Sequence, residues 1–122
     1  MKNRLIQHKV YVKKSKLHGY GVFAAQNIKK NETIEECYMY VGDGKDLKYE
    51  DYYFDVRYNR FSMLSGCGCI YNHSDNHNAD YDFDVKKKLF TFYALEPIKK
   101  DQEILVSYGE EWFSSRKMKS WK

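Results

Sequence analysis

Short strand-like runs, each closed by a turn signal, constrain this chain of 122 residues more than any other feature of it. The clearest are Val10-Tyr11-Val12, Gly21 to Ala24, Thr33 to Tyr38, Lys88 to Ala94 and Glu103 to Tyr108. They are rich in β-branched and aromatic residues, which suit a pleated, half-buried surface. Runs this short between turns predict a mainly β domain. Tyr49 to Tyr58 is ambiguous between a short helix and a strand. Ile28-Lys29-Lys30-Asn31-Glu32-Thr33-Ile34 is echoed in spacing by Ile98-Lys99-Lys100-Asp101-Gln102-Glu103-Ile104. Each places a polar turn between apolar anchors and leads into a strand. Two similar turns explain the echo better than a repeat architecture, which needs more copies.

Length and composition narrow the class. A chain of this size reads as one domain spanning 1–122, with a core at about 10–113 and a basic tail at 114–122. Hydrophobic residues make up 43% and charged residues 31%, a balance that reads as soluble and globular and not disordered. No apolar run approaches the roughly 20 residues of a membrane span. Met1 to His8 lacks the apolar core of a signal peptide, so the expectation is an intracellular, soluble protein with no membrane partner. Cys37, Cys67 and Cys69 are too few, and odd in number, for a disulfide framework; free thiols fit better.

The net charge of +4 is weak for a nucleic-acid binder. The excess sits in Lys13-Lys14, in Lys86-Lys87-Lys88 and in the tail at Arg116-Lys117-Met118-Lys119. Runs like these are usually solvated faces; the tail could also meet nucleosomal DNA weakly. Cys67 and Cys69 with His73 and His77 offer four candidate zinc ligands, but not at a familiar spacing, and no metal is expected.

Three motifs carry chemistry. His18-Gly19-Tyr20-Gly21-Val22-Phe23-Ala24 contains a Gly-x-Gly that lets backbone approach a ligand closely. It lacks the third glycine and following helix of a dinucleotide site. Asn72-His73-Ser74-Asp75-Asn76-His77-Asn78-Ala79 is dense in side chains that bond to backbone. Asp101 to Gly109 is an acidic, then apolar, strand ending in Ser107-Tyr108-Gly109, with the aromatic Trp112-Phe113 after it.

In this order the three motifs resemble the SET-domain family of protein lysine methyltransferases, over about Val10 to Phe113. The Lys13-Lys14-Ser15 opening, Glu50-Asp51-Tyr52 and the Ser107-Tyr108-Gly109 end look most like the minimal stand-alone viral members. The chain departs from the family at His77, where a proline is usual, and in having no cysteine after Cys69 for a C-terminal zinc segment. The resemblance implies small curled β-sheets with a knot-like threading of the C-terminal segment, an arrangement otherwise rare.

The same resemblance implies methyl transfer from S-adenosylmethionine, leaving S-adenosylhomocysteine, to a lysine of a protein substrate, for which a histone tail is expected. The alternatives are a non-histone substrate, or an inactive SET-like module that binds basic tails. Tyr108 is the implied catalytic residue. Tyr20, Tyr52, Tyr108 and Trp112 would line the lysine channel. His18, Gly19, Tyr20, Asn72, His73, Trp112 and Phe113 would hold the cofactor. A homodimer could complete the substrate groove, and a viral histone methyltransferase would act in the host nucleus.

Overall fold

The computed structural model describes residues 4–42, 54–56 and 60–108. The mainly β expectation is met: the described residues contain strands and turns and no α-helix. In chain order the strands are β1 (Val10–Lys14), β2 (Tyr20–Ala24), β3 (Thr33–Gly42), β4 (Phe54–Val56), β5 (Arg60–Leu64), β6 (Asn72–His73), β7 (Ala79–Asp84), β8 (Leu89–Ala94) and β9 (Glu103–Val106). They form two sheets, ordered β1-β2-β9-β6 and β4-β5-β3-β8-β7. β4 falls inside the ambiguous tyrosine-rich stretch and is a strand.

Alternation places the core. In β8, Phe90, Phe92 and Ala94 are buried while Leu89, Thr91 and Tyr93 are half-buried. In β9, Ile104 and Val106 are buried. Val22 and Ile104 of one sheet join Ile34, Phe90 and Phe92 of the other in a single apolar cluster. Each fully buried side chain of this size is worth about 1.5–3 kcal/mol of transfer free energy. Tyr71 stacks on Phe92 with ring centroids 4.1 Å apart, and so ties the approach to β6 to this core.

The two echoing turns are twins that pair with each other. Ile28 and Ile98 exchange both backbone hydrogen bonds, each at 2.8 Å. The Asn31 N–H donates to the Ala94 carbonyl, and the Asp101 N–H to the Ala24 carbonyl. Glu32 Oε1 accepts from the Lys29 N–H, and Gln102 Oε1 from the Lys99 N–H, both at 3.0 Å. Asn31 and Asp101 both take the left-handed conformation, with φ of 69° and 71°. Asn and Asp tolerate it better than other side chains. Two similar turns is thus the right description, with a reciprocity that spacing alone did not reveal.

β9 is the centre of the first sheet. It runs antiparallel to β2 and parallel to β6, with Asn72 opposite Leu105 and His73 opposite Val106. The second and third motifs are therefore hydrogen-bonded neighbours, with the first motif on the other side of β9. Beyond β6, Asn78 substitutes its side chain for backbone. Its Nδ2 donates to the Glu103 carbonyl at 3.0 Å and its Oδ1 accepts from the Leu105 N–H at 2.8 Å. The chain after Tyr108, which would complete a threading, lies outside the described residues.

Candidate active site

The Gly-x-Gly turn is held from below by two polar side chains. The Ser15 N–H donates to the Gly19 carbonyl at 2.7 Å, closing the turn. Ser15 Oγ accepts from the Leu17 N–H and donates to Glu103 Oε1 at 2.9 Å. Gly19 has φ of +49°, and a Cβ placed there would meet nothing within 4 Å. The turn therefore presents open space and bare backbone, which suits a ligand lying against it. His18 and Tyr20 flank it and are exposed.

Gly21 has the opposite requirement. A Cβ there would collide with Glu103 Oε2 and stand 3.0 Å from Asn72 Nδ2. Only a hydrogen fits, because the Glu103 carboxylate, with Asn72 beside it, lies directly beneath the turn. The Asn72 Nδ2 lies 2.9 Å from the His18 carbonyl, 3.2 Å from the Tyr20 carbonyl and 3.0 Å from Glu103 Oε2. Asn72 is buried, so these bonds replace water and fix the turn to β6 and β9. Its amide hydrogens are committed to protein acceptors. Its Oδ1 meets no protein donor among the described residues.

His73 links the second motif to the third. The Tyr108 N–H donates to His73 Nδ1 at 2.9 Å, so Nδ1 is the acceptor. The ring proton then sits on Nε2, 2.9 Å from Asp75 Oδ1. Both imidazole nitrogens are engaged in a neutral tautomer. Tyr108 continues from there: its hydroxyl donates to the Tyr71 carbonyl at 2.7 Å, and its ring lies 5.3 Å from that of His73. The phenol is half-buried, with its hydroxyl held by that carbonyl. The Tyr108 hydroxyl thus rests on the residue before Asn72, and Asn72 grips the carbonyls on either side of Gly19.

Behind Tyr71 lies a buried acid. Glu35 of β3 is 1% exposed. Tyr71 donates its hydroxyl to Glu35 Oε1 at 2.7 Å, and the Cys67 N–H donates to Oε2 at 2.9 Å. Burial raises the Glu35 carboxyl above its ordinary value, against the pull of those donors. Burial, together with the neighbouring Glu35, pushes the Cys67 thiol up to about 11 and the Tyr71 phenol well above its usual range. The thiol and the phenol stay protonated at neutral pH, as inert core does. Gly66-Cys67-Gly68-Cys69 packs tightly here: a Cβ on Gly68 would stand 2.5 Å from Leu64 Cβ and 3.1 Å from Cys37 Sγ. Among the described residues, no three His, Cys, Asp or Glu side chains gather as metal ligands.

Of the residues singled out from sequence, His18, Gly19, Tyr20, Asn72, His73 and Tyr108 converge through these bonds. Tyr52, Trp112 and Phe113 lie outside the described residues. Sequence reasoning missed Ser15, Glu103, Tyr71 and Asn78 as supports. Each stands within or beside a motif, but nothing local marks which neighbour turns inward. His77, at the usual proline position, carries a buried Nδ1 with no hydrogen-bond partner among the described residues.

Comparison with known proteins places the chain in a family. The model of the SET domain family matches residues 19–109. A crystal structure of a candidate histone methyltransferase from Plasmodium falciparum superposes with a TM-score of 0.78 at 38% identity, covering 88% of this chain and 99% of that one. The histone-lysine N-methyltransferase of Schizosaccharomyces pombe, specific for lysine 37 of H3, is 24% identical over 121 residues, 93% of this chain and 82% of that protein. An apo PRC2 structure containing a substituted Ezh2 shares the fold alone, with a TM-score of 0.64 at 22% identity, covering 83% of this chain and 15% of that one. A glycine turn, an Asn-His segment and a terminal tyrosine joined in one hydrogen-bonded unit, under a family match spanning most of its length, show that the chain belongs to the SET domain family.

Proposed function

We propose that this SET domain is a protein-lysine N-methyltransferase that draws its methyl group from S-adenosylmethionine and acts on a histone tail. The observation that carries the proposal is the Tyr108 phenol anchored on the carbonyl of Tyr71, the residue before the asparagine that holds an open glycine turn. S-adenosylmethionine, when bound, supplies an electrophilic methyl on a cationic sulfur. The backbone of His18, Gly19 and Tyr20 suits its amino-acid end, since nothing stands over Gly19. Asn72 offers its Oδ1, and His73 its backbone. Trp112 or Phe113 would stack on the adenine, a contact worth about 1–3 kcal/mol.

The substrate lysine must lose a proton first. At a reference pKa near 10.4, about one amine in a thousand is neutral at pH 7, a cost of about 4–5 kcal/mol. A narrow aromatic channel lined by Tyr20, Tyr52, Tyr108 and Trp112 would disfavour the ammonium by desolvation, beside a cationic donor that would repel it. The Tyr108 hydroxyl donates to the Tyr71 carbonyl, and its oxygen would accept from the incoming amine and align it. Aromatic walls hold the methylated product by cation–π attraction of about 0.5–2 kcal/mol.

The histone assignment draws on the two relatives described as histone methyltransferases. With it come a nuclear site of action, one domain over about 10–113 with the C-terminal segment threaded past β6, and a homodimer that completes the substrate groove. The likeness to minimal viral members rests on length and on the Ser107-Tyr108-Gly109 end. The basic tail adds a weak contact with nucleosomal DNA, which would appear as salt-sensitive binding to free DNA without cofactor.

The test is transfer of labelled methyl to a panel of histones and cell lysates. Label is expected on a histone, and Tyr108→Phe should bind cofactor normally yet lose about 100-fold or more in turnover. Label confined to other lysate proteins refutes the histone substrate. Unchanged turnover in Tyr108→Phe removes that residue from the mechanism.

A further inference from the structure

The support beneath Tyr108 does not end at the carbonyl that holds its hydroxyl. That carbonyl belongs to Tyr71, whose own phenol reaches 2.7 Å in the opposite direction to Glu35 Oε1. Tyr71 is 2% exposed and Glu35 1% exposed, so no water competes for the bond. The other carboxylate oxygen holds the Cys67 N–H, and a Cβ at Gly66 would stand 2.5 Å from it. One carboxyl on β3 thus clamps both ends of the segment from Cys67 to Tyr71. The ring between is stacked on Phe92 and has one way to lie. From a sheet that contributes none of the proposed cofactor contacts, Glu35 sets where the Tyr71 peptide sits.

We infer that Glu35 and the Tyr71 hydroxyl are positioning residues for methyl transfer: the pair fixes the Tyr71 carbonyl, and the carbonyl fixes the Tyr108 hydroxyl. The inference rests on the role given to Tyr108 above. Neither group meets the substrate or the cofactor. Phenylalanine at position 71 would still stack on Phe92 and still offer a carbonyl, so a purely structural role predicts lower stability with ordinary kinetics. A positioning role predicts a loss in kcat that depends on the Tyr108 hydroxyl being present to misplace.

The experiment is a kinetic double-mutant cycle on the full chain with Tyr71→Phe and Tyr108→Phe, alongside cofactor affinity by titration and a thermal melt. In the wild-type background, Tyr71→Phe is expected to lower kcat about tenfold, with the KM for S-adenosylmethionine changed by less than about twofold. In the Tyr108→Phe background it should lower the residual rate by less than about twofold. Glu35→Gln, which keeps one oxygen for the Cys67 N–H and turns its amide toward the Tyr71 hydroxyl, should retain more activity than Tyr71→Phe. Equal losses in both backgrounds, or a Tyr71→Phe enzyme with unchanged kcat, overturn the inference and leave Tyr108 untouched. Should Tyr71→Phe fail to fold, Glu35→Gln carries the same cycle with Tyr108→Phe, and additive losses there overturn it equally. A wild-type chain that transfers no methyl overturns the assigned role of Tyr108, and this inference with it.

Discussion

At the residue scale, the site is built by subtraction as much as by contact. Gly19 leaves room above the turn and Gly21 leaves room below it, for a ligand and for Asn72 respectively. Gly21→Ala would drive a methyl group into Glu103 and Asn72, neither of which can yield without dropping bonds to Ser15 or to the turn carbonyls. The expected outcome is a stability loss of about 1–3 kcal/mol and a weakening of cofactor binding, read by denaturant melts and a binding titration. Glu35 gives the fold a pH signature. Its carboxyl titrates above the reference value of 4.5 because the folded chain buries it. Below that value both states are protonated and the contribution to stability is complete. As pH rises from there through the raised folded value, the unfolded chain ionises more readily and stability is lost. The melting temperature of the wild type should therefore fall relative to Glu35→Gln between pH 4.5 and neutrality; parallel curves would contradict the assignment.

At the scale of elements, β6 shows how little strand is needed when side chains finish the ladder. It has two residues, Asn72 and His73, paired with Leu105 and Val106. Asn78 then extends the contact by offering a donor and an acceptor at the spacing of a peptide group. Replacing Asn78 with alanine leaves the Glu103 carbonyl and the Leu105 N–H without partners in the interior, at a cost of about 1–3 kcal/mol for each such group. Asn78→Ala should show this as a lower denaturation midpoint; a midpoint equal to wild type would mean that water replaces the side chain. The outer strand β7 handles the same need differently. Asp80 and Asp82 accept from the Tyr81 and Phe83 N–H groups, each at 2.8 Å, blunting an edge that could otherwise recruit another strand.

At the scale of the whole molecule, the twin turns lock the two sheets together. They carry the chain from β2 to β3 and from β8 to β9, and the exchange between Ile28 and Ile98 holds both crossings at one point. β9 is thereby delivered between the glycine turn and the Asn-His segment. A homodimer would add a second copy beside this scaffold and close the substrate groove. Light scattering checks it: a mass near twice 14.7 kDa is expected, and a monomer that retains full transfer activity would refute it.

The sequence by itself determined the mainly β class and the strands β1, β2, β3, β8 and β9 to within a few residues, while the motifs that meet at the site were marked by their order and its resemblance to a family. The class and the strands are local properties: β-branched and aromatic runs, turn residues and glycines act through their own backbone. β7 is hidden by propensity: Asp80, Asp82 and Asp84 alternate with Ala79, Tyr81 and Phe83, but aspartate is depleted in strands. β6 escaped because a two-residue strand has no period at all. Only the tertiary structure decided that Glu35, and not its neighbour Glu36, reaches the Tyr71 hydroxyl, that Asn72 bonds beneath the turn, and that the Tyr108 hydroxyl rests on the Tyr71 carbonyl. Those partners are separated by 36, 54 and 37 positions along the chain, and no local preference couples residues so far apart until the sheets bring them together.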